Sequence, residues 1–510
     1  FYFNTLNDDQ VNPSFQNWTY TTIPASSTAW SNRFTYIRSI NYLLDNLKNS
    51  SLPEATKNKY EAIARMNRAQ VYSELVKMYG DVQWEDHVVL SISDEATYGE
   101  RDDADKVMEN VLADLDFAIA TLPSNTSDRT QWSKEMALAM KSDICLYWGT
   151  YCKYRTQDDN GKAADMTLAK KFLDESVKAS EAIMSNGFFQ LNDWTPDATG
   201  KVYTIYNSLD LAGNKEAIFY RHYAIDVLSH GLADYTSSST TQSGITKDCV
   251  DAFLFKDGKP KATTICDTLD RAVKNANGNW SIQHFLANKD KRLSLLVDSI
   301  ISFKGNGWIR NEPSPDGPLP AEMTSSTGYT VYKYDNPQMT IHYRTNTNTN
   351  YTDVPVFWYP VVLLNEAEAK AELGTITKDD LDKTVNLLLR RAGLPDLTMN
   401  PDADPANDEG VSNLLWEIRR CRRCELVCDK DYRYWDLVRW HQLDKLDTSV
   451  NTDANEGANV SNVEGADKDA VGYLKGSPKT RQYNKKYYLY PIPTNEIELN
   501  SKIHQNPNWQ

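Results

Sequence analysis

Apolar side chains recur every three or four positions from 29 to 48, where Phe34, Ile37, Ile40, Leu43, Leu44 and Leu47 mark one face of a predicted helix. Pro53 opens the next turn. From 57 to 79 the residues Tyr60, Ile63, Val71, Leu75 and Met78 form a second stripe, closed by Gly80, the residue type that ends helices with a positive φ. The pattern repeats over 105–122 through Val107, Val111, Leu112, Leu115, Ile119 and Leu122, stops at Pro123, and continues over 134–154 and 168–184. The first 190 or so residues therefore read as antiparallel helices. Between about 190 and 355 the texture changes to short β-like runs such as Ala217-Ile218-Phe219-Tyr220. Small polar residues dominate 236–244 and 345–352, and four prolines fall within 312–322. Ordered loops of this length are usually functional. Helical periodicity returns over 356–373, 379–392 and 412–427, the acidic stretch 451–472 reads as a solvated loop, and order resumes at 487–493.

Successive hairpins of this size point to tetratricopeptide-like stacking, in which each hairpin hides its apolar side against the next. The predicted fold is mainly α. Helical hairpins at about 29–186 and 356–442 pack against an irregular, loop-rich region with short β-strands at about 187–355, followed by a C-terminal segment at 473–510, in a single domain over 1–510.

Composition narrows the function. With 70 acidic against 55 basic residues the net charge is -15, which opposes binding to nucleic acid or anionic lipid. Hydrophobic residues make up 40% and charged ones 25%, as in a globular protein with a wet surface, and no run of 18 apolar residues occurs. Seven cysteines, an odd number, do not make the disulfide framework of a small secreted domain. Tyr (29) outnumbers Phe (14) and is joined by 13 Trp, so the aromatic content favours rings with a polar edge, which suit amphipathic ligands.

Several segments carry a family likeness. They include Tyr36-Ile37-Arg38-Ser39-Ile40-Asn41, the helix from Arg68-Ala69 to Tyr79-Gly80-Asp81-Val82, Arg101-Asp102, Asp290-Lys291-Arg292, and Ser326-Thr327-Gly328-Tyr329. Arg390-Arg391-Ala392-Gly393-Leu394 follows, then the two most specific matches, Tyr434-Trp435-Asp436-Leu437-Val438-Arg439-Trp440 and Tyr490-Pro491-Ile492-Pro493 with Gln505-Asn506-Pro507. In this order they resemble the SusD/RagB family of outer-membrane glycan-capturing lipoproteins over nearly the whole chain. The chain departs from the pattern at Gln83, where proline is usual, and at Cys421, Cys424 and Cys428, which replace the family's Glu, Arg and Phe. The resemblance implies a non-catalytic, cell-surface protein of Bacteroidota. It captures oligo- or polysaccharide and passes it to a SusC-like TonB-dependent transporter, needs no cofactor, and is held to the outer membrane by an N-terminal lipid anchor. The lipid-bearing cysteine is not in this sequence, whose first cysteine is Cys145, and trimming accounts for that.

Other chemistries fare less well. Paired carboxylates are the machinery of glycosidases, but Asp8-Asp9 and Glu366/Glu368 read as surface charge or caps. No phosphate loop, nucleophile elbow or dinucleotide fingerprint is present. Cys421, Cys424 and Cys428 have metal-like spacing without a fourth ligand and read as small buried apolar residues. Asp402, Asp404 and Asp408 offer alternating oxygens for Ca²⁺ but lack the mid-loop glycine of a calcium-binding hand. A sugar has apolar C–H faces and a rim of hydroxyls, so rings on irregular backbone are the natural receptors. Trp18, Tyr20, Trp280 and Trp308 are the candidate rings, against the plainer reading that each fills the core; Asn17, Asn306, Arg310 and Asn311 are the candidate polar partners. The alternatives are a helical scaffold that binds a peptide or protein in its concave groove, and a glycoside hydrolase.

Overall fold

The computed structural model describes residues 6–14, 17–91, 95–233 and 243–509. It comprises two compact units, one of residues 18–187, 438–441 and 484–510 and the other of 1–17, 188–437 and 442–483.

The helical unit is built from α1 (Thr28–Lys48), α2 (Glu54–Tyr79), α3 (Ala104–Thr121), α4 (Lys134–Tyr154) and α5 (Met166–Met184). Each packs on the next, as the amphipathic periods require. Small side chains let α4 and α5 approach closely: Ser142 and Ser180 share a hydroxyl hydrogen bond of 2.8 Å, and a Cβ on Gly149 would lie 2.8 Å from Leu173 Cγ. A buried polar pin joins the first three helices. Arg68 donates to both oxygens of Asp114 at 2.8 and 3.0 Å and to Asn41 Oδ1 at 3.1 Å. The C-terminal segment returns to this unit through Asn506, which accepts from Arg101 and donates to the carbonyls of Tyr79 and Tyr490. The recurring motifs around Tyr79, Arg101, Tyr490 and Asn506 are thus one structural knot.

The loop-rich unit holds a pair of antiparallel strands, β1 (Ala217–Arg221) and β6 (Val354–Trp358), and a four-stranded antiparallel sheet of β2 (Val273–Lys274), β3 (Trp280–Ser281), β4 (Val297–Ile301) and β5 (Tyr329–Val331). Its core gathers Phe253, Phe255, Phe285, Leu293, Val297, Ile301, Tyr329 and Val331; helices α6 (Tyr359–Leu373) and α7 (Val385–Arg391) pack on α8 (Asn413–Glu425), whose Cys424 joins that core.

Three details differ from the periodic reading. The helix predicted from 356 starts at Tyr359, because Val354–Trp358 pairs with β1. The helix predicted over 379–392 is two, Lys378–Lys383 and α7, broken at Thr384. The acidic stretch 451–472 is not merely a solvated loop: Glu456–Asn459 pairs with Tyr473–Lys475 and sends Ala458 and Val460 into the core.

Charges expected at the surface are also found inside. Asp8 accepts from Nε and Nη2 of Arg433 at 2.7 and 2.6 Å, and Asp9 pairs with Arg423 at 2.7 Å. Burial pushes the Asp8 carboxyl up, yet Arg423 and Arg433 outweigh it and hold it well below the ordinary range. Glu366 bonds Lys370 at 2.9 Å, and Glu368 is fully buried 3.9 Å from Arg422. These carboxylates are neither caps nor surface charge; they compensate buried cations.

Candidate functional site

The rings chosen from sequence have different fates. Trp18 is 6% exposed and lies parallel to Tyr487 with centroids 4.1 Å apart, so a ring already covers it. Trp308 is 8% exposed because its backbone bridges to Met323 and draws the loop inward. Arg310 is buried, pairs with Asp298 at 3.0 Å and donates to the Val331 carbonyl. These three serve the interior and present nothing to a ligand, which corrects their assignment. Tyr20 is half-buried, with its hydroxyl 2.7 Å from that of Ser27. Trp280 is half-buried on β3, with Lys274 Nζ 5.3 Å from its ring centroid. Asn306 is half-buried in a turn, while Asn17 and Asn311 are exposed. Trp18 and Tyr20 belong to the helical unit and the other six to the loop-rich one.

A denser aromatic site lies where the β1–β6 pair ends. Arg221 faces Val354 in register, so the segment leaving β1 (222–233) and the one entering β6 (341–353) run side by side. Hydrogen bonds clasp them: His230 and Asn350 exchange backbone bonds of 2.9 and 2.8 Å, and Ser229 Oγ donates to the Asn348 carbonyl at 2.6 Å. Asn350 is fully buried; its amide donates to the Tyr343 carbonyl, and its side-chain oxygen accepts from Ala233 N–H.

On this support Tyr343 meets Tyr351 edge to face at 5.4 Å and 85°, His342 meets Tyr343 at 4.9 Å and 83°, and Tyr223 meets His230 at 4.7 Å and 79°. Tyr223, Tyr343 and Tyr351 are half-buried, whereas His222, Asp226, His342, Asn346 and Asn348 are exposed. In each such pair the edge of one ring meets the face of the other, and all three tyrosines keep part of their surface open.

The polar groups are fixed as well. Thr352 O can only accept, so His230 Nε2 donates to it at 2.8 Å while Nδ1 accepts from Leu232 N–H at 3.1 Å. Burial holds this imidazole below its ordinary pKa, and it stays neutral. Asp353 accepts from Leu211 and Tyr223 N–H and lies 2.9 Å from His222 Nδ1, with burial pushing its carboxyl up. Asp226 sits at a left-handed corner (φ 56°) and accepts from the Tyr343 hydroxyl at 3.3 Å. Ring faces, amides, imidazoles and one open carboxylate form a ledge suited to a polyhydroxylated, amphipathic ligand.

Sequence reading missed this ledge. It took 345–352 as a small polar loop and overlooked Tyr351 within it and His342 and Tyr343 before it; the available signal was Tyr and His at both 222–230 and 342–351, with Asn added in the second segment. A second concavity, of about 290 Å³, lies under Pro395, Asn400 and Pro401 beside Glu417 and Arg420, with no ring among its described lining residues. The carboxylates considered for Ca²⁺ face different partners: Asp404 binds Arg420 and the Trp416 indole, and Asp408 lies 2.9 Å from Lys445. Among the described residues no group of three His, Cys, Asp or Glu is placed to hold a metal. Burial pushes the Cys421 and Cys424 thiols up to about 11 and about 12, so both stay protonated core groups.

The sequence model of the SusD family matches residues 180–509, and a second, described as "Starch-binding associating with outer membrane", matches residues 2–146. SusD-like protein P2 of Formosa agariphila is 23% identical over 495 residues, covering 94% of this chain and 80% of the relative. Among solved structures, a SusD-like protein of Bacteroides fragilis is 22% identical with a TM-score of 0.70, covering 99% of this chain and 93% of its own. A SusD-like carbohydrate binding protein of the same species is 20% identical with a TM-score of 0.68, covering 98% and 91%. At these identities the structural likeness speaks for the fold. Among the described residues no helix is long and apolar enough to cross a membrane.

Proposed function

Because the chain belongs to the SusD family, we propose that it captures oligo- or polysaccharide at the bacterial surface without cleaving it and passes it to a TonB-dependent outer-membrane transporter. The observation that carries the binding claim is the ledge of Tyr223, Tyr343 and Tyr351 rimmed by Asp226, His342 and Asn346. The match to a family described as starch-binding and associating with the outer membrane supports the ligand class and the location. Delivery to a transporter rests on the family likeness. It is supported by the outer face of α1, where Tyr36, Tyr42 and Leu43 are 58%, 54% and 43% exposed, an apolar surface of the kind that marks protein contacts.

A ring covering about 40 Å² of sugar contributes roughly 1 kcal/mol at ~25 cal/mol per Å². Three rings then give an affinity weaker than about millimolar for a single site. Many anchored copies on one polymer raise the apparent affinity through effective concentration. Affinity electrophoresis against a panel of polysaccharides, with reducing ends assayed after overnight incubation, tests the reading. Retardation by at least one polymer with no new reducing ends is expected; release of reducing ends, or no retardation by any polymer, overturns it.

A further inference from the structure

We propose that the ledge selects uncharged glycans and that Asp226 is the residue that turns anionic ones away. The inference rests on the ledge being the glycan site and goes on to name the class of glycan it accepts. Segments 221–230 and 341–353 contain four charged residues besides histidine: Arg221, Asp226, Arg344 and Asp353. Arg344 follows Tyr343 directly, and its planar fork is the group best matched to a uronate or sulfate. It is turned away from the ledge: fully buried, it donates to both oxygens of Asp335 at 2.8 Å and to the Glu312 carbonyl at 2.8 Å. Asp353 is also buried, under His222.

Of the two exposed charges, only Asp226 reaches the rings, through the Tyr343 hydroxyl at 3.3 and 3.4 Å. Desolvation and the Asp226 charge push that phenol up, so it remains a neutral O–H. Both Asp226 oxygens face that hydroxyl and keep further lone pairs, so the exposed carboxylate accepts from a sugar hydroxyl but has nothing to offer another anion. Asp316, bonded to Ile341 N–H at 2.9 Å at the start of the same segment, adds negative charge, as does the overall balance of -15. Like charges about 4 Å apart in water disfavour each other by roughly five-fold in affinity.

The test takes the neutral polymer that the parent protein retards most strongly and compares three forms: unmodified, carboxymethylated, and hydroxyethylated to the same degree as a neutral control for bulk. The variants are Asp226→Asn, Arg221→Ala and Tyr351→Ala. Asn keeps the shape and tolerates the left-handed corner. The parent should bind the unmodified and hydroxyethylated forms alike and the carboxymethylated form roughly three- to ten-fold more weakly, a gap that closes as salt is raised. Asp226→Asn should shrink that gap to within about two-fold, and Arg221→Ala should leave it in place. Equal or tighter binding of the carboxymethylated form by the parent, or an unchanged gap in Asp226→Asn, overturns the inference while the ledge stands. Equal binding of every polymer by the parent and Tyr351→Ala removes the ledge itself, and the inference with it.

Discussion

Asp335 is fully buried among three cations, accepting from Arg344 and lying 4.0 Å from Arg310 Nε and 3.9 Å from Lys201 Nζ. Burial pushes its carboxyl up, but the three cations prevail and hold it well below the ordinary range. With the folded value depressed, its contribution to stability is present above the ordinary carboxylate range and is lost as pH falls through the folded value. Asp335→Asn leaves two buried guanidinium groups short of compensation, and urea unfolding at pH 7 should show a loss of about 3–5 kcal/mol. Lys289 titrates the other way. It is 2% exposed, donates to the Phe253 carbonyl, lies 4.2 Å from the Phe255 ring centroid, and burial lowers its pKa to about 8. The unfolded chain holds that proton up to about pH 10.4, so this lysine penalises the fold below pH 8 and the penalty fades between about 8 and 10. The displacement corresponds to roughly 3 kcal/mol. In Lys289→Met the stability relative to the parent should therefore fall as pH rises through that window; a difference that does not vary with pH would refute the assignment. None of this was legible in the sequence, because Asp335 and Lys289 acquire their partners only by burial.

Among elements, the long helices were legible, and so was the strand Ala217–Arg221, as a β-like run over 217–220; the other strands were not. The apolar period of 3.6 residues locates α1 to α5 within a few residues, since each helix satisfies its own backbone and buries one face. Those other strands have only two to five residues and depend on distant partners, as Val354–Trp358 does on Ala217–Arg221, so no local period announces them. The same dependence hid the ledge: its two segments meet only because those strands pair, and whether a ring such as Trp308 or Tyr343 faces out is decided by the chain crossing it. Within the helical unit the Arg68 pin is predicted to matter more than any single apolar contact. Arg68→Met strands the buried Asp114 carboxylate, leaving it with Arg65 at 2.7 Å and Asn41 without its cation. A loss of about 3 kcal/mol or more in denaturant midpoint analysis is expected, and the paired change Arg68→Met with Asp114→Leu should recover part of it.

At the scale of the whole molecule, a net charge of -15 and an aromatic ledge whose exposed carboxylate is Asp226 fit the proposed weak hold on a neutral polymer and oppose anionic surfaces. Affinity for oligosaccharides, measured by calorimetry, should rise with length until the ledge is filled and then level off, with further gains seen only when several copies share one polymer. The most direct measurement compares the parent, Tyr343→Ala/Tyr351→Ala and Trp308→Ala by affinity electrophoresis in the best-bound polysaccharide, with melting temperatures recorded alongside. The ledge account predicts that the double variant runs unretarded while melting near the parent, and that a folded Trp308→Ala chain is retarded as before. Undiminished retardation of the double variant would contradict it.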